Sequence, residues 1–175
     1  YDNQVEDISA LAGLNNLVLL WAHGNKIKNI SALSGMSDMQ QLSLDDNAIT
    51  DISALGGMTR MKELFLTNNT IEDITPLRRL QALEVLRLEN NKITDVNAIA
   101  GLDQLRELSV ARNWSLYDVQ PLLHNQGIGA GDELDLRSTA VRCSDIDAFA
   151  NRGVTLLRVT TVNGSGCAGR RLVDP

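Results

Sequence analysis

The sequence predicts an α/β solenoid: a right-handed superhelix with a parallel sheet on its concave side, short 3₁₀ or helical segments on its convex side, and a C-terminal cap. Three observations carry this. Asparagines fall at Asn3, Asn25, Asn47, Asn69, Asn91 and Asn113, a spacing of 22 residues every time. Seven apolar columns recur in the same register. Aromatic residues make up only 3% of the 175 residues, against 27 Leu and 15 Asn, so aliphatic stacking must fill the core that Phe, Tyr and Trp usually help to fill.

The elements follow from the columns in order. Leu20, Leu42, Leu64, Leu86 and Leu108 lie five positions before an Asn, and Ala22, Leu44, Leu66, Leu88 and Val110 lie three before it. This alternation reads as a short strand with its apolar side inward. The Asn that follows can donate to and accept from backbone groups at the bend where the chain leaves the sheet, so Asn25, Asn47, Asn69, Asn91 and Asn113 are expected to form a structural ladder. Val5, Ile27, Ile49, Ile71 and Ile93 come next, then Ile8, Ile30, Ile52, Ile74 and Val96. Ser9, Ser31, Ser53 and Thr75 are placed to cap a short convex helical turn, with Pro76 at its first position. Three further columns, starting at Leu11, Leu14 and Leu17, complete the unit. A unit of this size cannot bury its own apolar face, so successive units must stack.

The register breaks at RNWSLYDV, where one extra residue after Asn113 shifts Val119 and Leu122 by one place. GDELDLRSTAV supplies a last strand around Leu134 and Leu136, with Thr139 where the Asn would stand. CSDIDAFANRGVTLL reads as a helix from Ser144 or Asp145 to about Asn151, stopped by Gly153, followed by an apolar strand. The expected organisation is therefore repeats over 1–123, beginning inside a unit without a polar N-terminal cap, and a last strand plus capping region over 124–175. The tail GSGCAGRRLVDP is Gly-rich and expected to be loose after Cys167.

The segments DISALGGMTRMKELFLTNNTIE and DITPLRRLQALEVLRLENNKIT resemble leucine-rich repeats. The DIS-A-L or DIT-P-L step after N-x-I resembles the 22-residue repeats of bacterial internalin-like surface proteins; the phosphatase-regulating SDS22-like class shares the length. The pattern covers residues 1 to about 123. The internalin-like resemblance implies a secreted or surface-attached bacterial protein, extracellular or periplasmic, whose partner is a host or cell-surface protein. The SDS22-like resemblance implies an intracellular scaffold regulating an enzyme.

Charge and composition remove other classes. Sixteen Lys plus Arg against 22 Asp plus Glu give a net charge of −6, and no basic stripe suited to nucleic acid is present. No apolar run reaches the roughly 18 to 20 residues of a membrane helix, and the first residues lack the features of a signal peptide. His23 and His124 are a hundred residues apart, which offers no base for a nucleophile. The carboxylates are scattered, and no phosphate-binding glycine motif occurs, so no catalytic residues, no metal and no cofactor are expected. Cys143 and Cys167, 24 positions apart, are unlike the paired cysteines of zinc or redox sites. A disulfide between them is the expected state, with two unpaired thiols packed as small hydrophobes the alternative. Sequons at Asn29, Asn68, Asn113 and Asn163 read as by-products of the Asn-rich repeats.

The chemistry left over is that of the sheet face pointing away from the core. Side chains alternate along a strand, so three columns should face outward. The central one reads Trp21, Ser43, Phe65, Arg87, Ser109, Asp135; one flank reads Leu19, Gln41, Glu63, Val85, Glu107, Glu133; the other reads His23, Asp45, Thr67, Glu89, Ala111, Arg137. Trp, Phe and Arg on an outward face are the residue types enriched at binding hot spots, and Phe65 beside Arg87 suits a cation–π contact. The expected partner-binding face comprises Leu19, Trp21, His23, Asp45, Glu63, Phe65, Val85, Arg87, Glu89 and Glu107. A protein partner bound by a monomer is the leading expectation, and a carbohydrate stacked on Trp21 and Phe65 is an alternative.

Overall fold

The computed structural model describes residues 1–157. Each strand is three residues long: β1 Leu19–Trp21, β2 Gln41–Ser43, β3 Glu63–Phe65, β4 Val85–Arg87, β5 Glu107–Ser109, β6 Glu133–Asp135 and β7 Thr155–Leu157. They form one seven-stranded sheet in sequence order, every pair parallel. The register joins equivalent positions, Leu20 to Leu42 to Leu64 to Leu86 to Leu108 to Leu134 to Leu156. Each repeat therefore lays its inward Leu on the preceding one, and Leu42, Leu64 and Leu86 are fully buried.

The remaining columns complete this core. Ile27, Ile49, Ile71 and Ile93 are fully buried, as are Leu33, Leu55, Leu77 and Ile99. Each such side chain contributes about 1.5–3 kcal/mol through removal of apolar surface from water. The first unit departs from the expected columns: Val5 and Leu14 remain 41% and 48% exposed, because among the described residues they meet a neighbouring unit on one side only.

The return segments are 3₁₀ turns at Ser9–Leu11, Ser31–Leu33, Ser53–Gly57, Thr75–Arg79 and Asn97–Ile99. The expected Ser/Thr caps are not used: these turns carry no side-chain cap bond from the residue preceding them, and Ser or Thr is itself the first residue of the turn. A different column does the capping. Asp7, Asn29, Asp51, Asp73, Asp95 and Asp118 each accept, through Oδ1, the backbone N–H two residues ahead, at 2.7–2.9 Å. This bond spans the bend and satisfies a donor at the turn entrance. It also holds Asp73 below its ordinary carboxylate pKa, through the Thr75 hydroxyl and N–H, and Asp7 likewise through Ser9.

The connection holding His124 folds as a helical turn, α1 Gln120–His124, with Pro121 in its first turn. It leads to Asn125, which is fully buried and ties this end together. Asn125 Nδ2 donates to Ile99 O and Leu102 O, and its Oδ1 accepts Gly127 N and Ile128 N. Helix α2, Cys143–Asn151, begins slightly earlier than the sequence predicts. Gly153, at φ +79°, ends it with paired bonds from Gly153 N to Ala150 O and Val154 N to Phe149 O, the geometry that favours glycine at a helix C-terminus. Buried Ile146 and Phe149 join the core. Cys143 opens α2; Cys167, its expected partner, lies outside the described residues, as do the tail and Asn163.

Candidate concave-face binding site

The site is built on the bend that ends each strand. In every interior repeat the Asn Oδ1 accepts the N–H of the isoleucine in the preceding unit: Ile27 donates to Asn47, Ile49 to Asn69, Ile71 to Asn91 and Ile93 to Asn113, at 2.9–3.0 Å. The amide nitrogen donates to inward-facing carbonyls of its own and the preceding repeat. Asn69 Nδ2, for example, reaches Leu44 O, Leu66 O and Thr67 O, and Asn91 Nδ2 reaches Leu66 O, Leu88 O and Glu89 O. Asn25, half-buried, bonds Val5 N, Ala22 O and His23 O. Asn113 is fully buried and bonded on both sides of its amide, so its sequon cannot carry a glycan. Thr139 fills the equivalent place in the last unit by donating to Leu136 O.

The residue before each Asn adopts a left-handed backbone: Asp46, Asn68, Asn90 and Arg112 lie at φ +52° to +56°, and Gly24 at +64°. Asp, Asn and Gly tolerate this conformation best. Their side chains also bond along the column, Asn68 Nδ2 to Asp46 Oδ1 and Asn90 Nδ2 to Asn68 Oδ1.

These bends hold the outward columns in register, Trp21 to Ser43 to Phe65 to Arg87 to Ser109 to Asp135. Trp21 and Leu19 are 54% and 47% exposed, and Phe65 and Val85 are partly buried. Arg87 places its Cζ 5.5 Å from the Phe65 ring centroid and binds Glu107 through Nε at 2.6 Å. That bond holds the Arg87 guanidinium pKa above its ordinary value. On the other flank, Thr67 N donates to Asp45 Oδ1, Thr67 Oγ1 donates to Glu89 Oε2, and Ser43 Oγ donates to Asp45 Oδ2. Burial pushes the Asp45 carboxyl pKa up despite these donors. Glu63 accepts from Gln41. His23 stacks on Tyr1, with ring centroids 4.7 Å apart, and faces the Ser43 hydroxyl.

Not every outward residue is exposed. Ser43, Ser109 and Asp135 are 7%, 5% and 2% exposed: the two serines sit between longer side chains on adjacent strands, and Asp135 lies between Ser109 and Leu157 beneath Arg137. Asp135 is clasped by Arg137 through Nε and Nη2. The burial of these three, the Asp column, the left-handed column and Asn125 were all missed by sequence reasoning. The Asp column was within reach, since Asp7, Asp51, Asp73 and Asp95 keep the same 22-residue register as the Asn. Trp114 and Tyr117, 58% and 60% exposed in the segment where the register breaks, were not placed on the face either. Among the described residues no group of three or more His, Cys, Asp or Glu could hold a metal ion, and no helix is long and apolar enough to cross a membrane.

Comparison with known proteins agrees with this geometry. Residues 38–79 match the family model for leucine-rich repeats in two copies. An internalin (inlF) of Listeria monocytogenes superposes with a TM-score of 0.68 at 26% identity, over 90% of this chain and 52% of that one. Internalin C2 of the same species gives 0.70 at 27%, over 89% and 78%. The ectodomain of the Arabidopsis thaliana receptor kinase GASSHO1/SCHENGEN3, solved with CASPARIAN STRIP INTEGRITY FACTOR 2, gives 0.72 at 20%, over 92% and 20%. This chain thus spans about half the length of the inlF structure. No curated protein sequence is significantly similar to it. The chain is a leucine-rich-repeat solenoid similar in structure to the internalins. Such folds generally mediate protein–protein binding, and nothing in this site indicates catalysis.

Proposed function

We propose that this chain is a non-enzymatic binding module that recognises a partner protein on its concave sheet face, as part of a secreted or surface-attached bacterial protein. The observation that carries the reading is the outward face of β1–β4, where Leu19 and Val85 of one flanking column and Trp21 and Phe65 of the central column stand on a sheet whose backbone is fixed at every bend. A core has no use for apolar side chains at those positions. Held rigidly, they lose little conformational entropy when a partner docks, and Trp beside Phe and Arg is the composition of an energetic anchor.

The internalin-like structures favour the bacterial surface over an intracellular scaffold, and a Cys143–Cys167 disulfide belongs with the same reading because such bonds persist in oxidising compartments. The likeness to the internalins of Listeria monocytogenes goes with a host or cell-surface protein as the partner, bound by a monomer. The test is chemical cross-linking of residues 1–175 to surface proteins of intact cells, repeated with the double variant Trp21→Ala/Phe65→Ala. The expected result is a discrete cross-linked partner for the native chain and none for the variant at unchanged melting temperature. Equal capture by both would refute the concave face as the binding surface.

A further inference from the structure

The outward columns of β1–β6 carry six carboxylates, Asp45, Glu63, Glu89, Glu107, Glu133 and Asp135, against two guanidiniums, Arg87 and Arg137. Both guanidiniums are already spent, on Glu107 and Asp135. Asp45, Glu63, Glu89 and Glu133 have no ion-pair partner among the described residues, so a net formal charge of −4 out of the chain's −6 is concentrated on one face.

The floor beneath this charge is uneven. The central column drops to serine twice. Ser43 lies between Trp21 and Phe65, and Ser109 between Arg87 and Asp135. Parallel strands lie about 4.8 Å apart, so the strands of Trp21 and Phe65 stand roughly 9–10 Å apart and the two rings wall a shallow slot whose floor, Ser43, is only 7% exposed, with Asp45 and Glu63 beside it. Within the fold, Arg87 already rests on Phe65, which shows that this ring surface accepts a guanidinium. The second slot supplies an independent sign of a ligand. Ser109 Oγ is the one buried side-chain polar atom among the described residues with no hydrogen-bond partner, and it belongs to the outward face with Glu107 and Asp135 around it. A buried hydroxyl left unpaired costs free energy, and a polar group arriving from the concave side would restore its bond once the longer side chains that cover Ser109, 5% exposed, swing aside.

Resting on the proposed concave-face function, we infer that this face binds an extended segment of its protein partner that carries lysine or arginine. The cation enters the slot over Ser43, between the two rings and the carboxylates, and a hydrogen-bonding side chain reaches Ser109. The two serines are three strands apart, about 14 Å, which an extended chain spans in about four residues with both side chains on one face. The chemistry is that of a basic peptide segment; an acidic one would meet a face of net formal charge −4.

The test is selection of a random nonapeptide phage library on residues 1–175, followed by fluorescence anisotropy with the enriched peptides. Enrichment of Lys or Arg with Ser, Thr, Asn or Gln four residues away is expected, as is an affinity that falls at least tenfold from 50 to 500 mM NaCl and at least tenfold in Glu63→Gln/Glu89→Gln. Glu6→Gln/Glu72→Gln, away from this face, should bind unchanged. Failure to enrich basic peptides, or full binding to Glu63→Gln/Glu89→Gln, overturns the inference. If uncharged peptides are selected and lost with Trp21→Ala/Phe65→Ala, the binding face stands and only its preference for a cation falls.

Discussion

The asparagine ladder makes a quantitative prediction about coupling between repeats. Replacing Asn69 by Ala orphans the buried Ile49 N–H and takes one donor each from Leu44 O, Leu66 O and Thr67 O. All three carbonyls keep a second partner, since Asn47 also donates to Leu44 O, Asn91 to Leu66 O and the Asp46 N–H to Thr67 O. An unpaired buried donor costs about 1–3 kcal/mol and each further lost bond about 0.5–1 kcal/mol, so Asn69→Ala should cost about 3 kcal/mol. Asn91→Ala should cost the same for the same reasons. The double variant Asn69→Ala/Asn91→Ala strips Leu66 O of both donors, and the two losses should exceed their sum by about 1–2 kcal/mol. Asn47→Ala/Asn91→Ala shares no acceptor and serves as the additive control. Urea unfolding followed by circular dichroism of the three single variants, Asn47→Ala included, and the two doubles gives the five quantities, with unchanged m-values required for the comparison. Additivity within 0.5 kcal/mol in the first pair, or equal coupling in the control, would refute the shared-carbonyl reasoning.

Other perturbations separate individual devices of the fold. A Cβ on Gly127 would run into the backbone of Asp103, whereas one on Gly101 meets nothing within 4 Å, so by thermal melting Gly127→Ala should lose about 3 kcal/mol and Gly101→Ala almost none. Arg112 occupies a left-handed backbone, at φ +56°; Arg112→Asn should raise stability by about 1 kcal/mol in urea titration, and Arg112→Val should lower it. The Asp45 carboxyl has its folded pKa raised by burial, so the native state binds the extra proton and stability falls as pH rises from 3.8 through the folded value. Asp45→Asn, which keeps an acceptor for Thr67 N–H, should therefore melt higher than the native chain at pH 7 and converge with it toward pH 4. Asp7 and Asp73, lowered by their turn bonds, act oppositely: their contribution is complete above 3.8 and disappears as pH falls through their folded values, which acid titration of Asp73→Ala against the native chain would reveal.

Much of this architecture is legible because a repeat writes each contact several times. One Asn after a strand says little, whereas five in the register of Asn25 to Asn113 place a ladder, and the Leu20 to Leu108 column places the sheet. The sequence reading erred where a general rule competed with this local geometry. Ser and Thr favour the cap of an α-helix, but a 3₁₀ turn entered from Ile at φ near −110° brings the preceding Asp, not the Ser, within reach of the free N–H. Alternation correctly pointed Ser43, Ser109 and Asp135 outward, but could not foresee their burial, which depends on the lengths of Arg87, Arg137 and the other side chains beside them. Asn125 lay in no column, since it acts once, where the repeat ends, and its signal was only a buried polar residue in a Gly-rich loop. The face itself was readable as a set of positions; its charge pairing was not, because Arg87 and Arg137 find their carboxylates through side-chain reach.

Hydrogen–deuterium exchange of residues 1–175, alone and with a cross-linked partner or selected peptide bound, tests the central claim most directly. The concave-face account predicts new protection confined to β1–β6 and the bends that follow them. Protection at the 3₁₀ turns, or around Trp114 and Tyr117, with the strands unchanged, would contradict it.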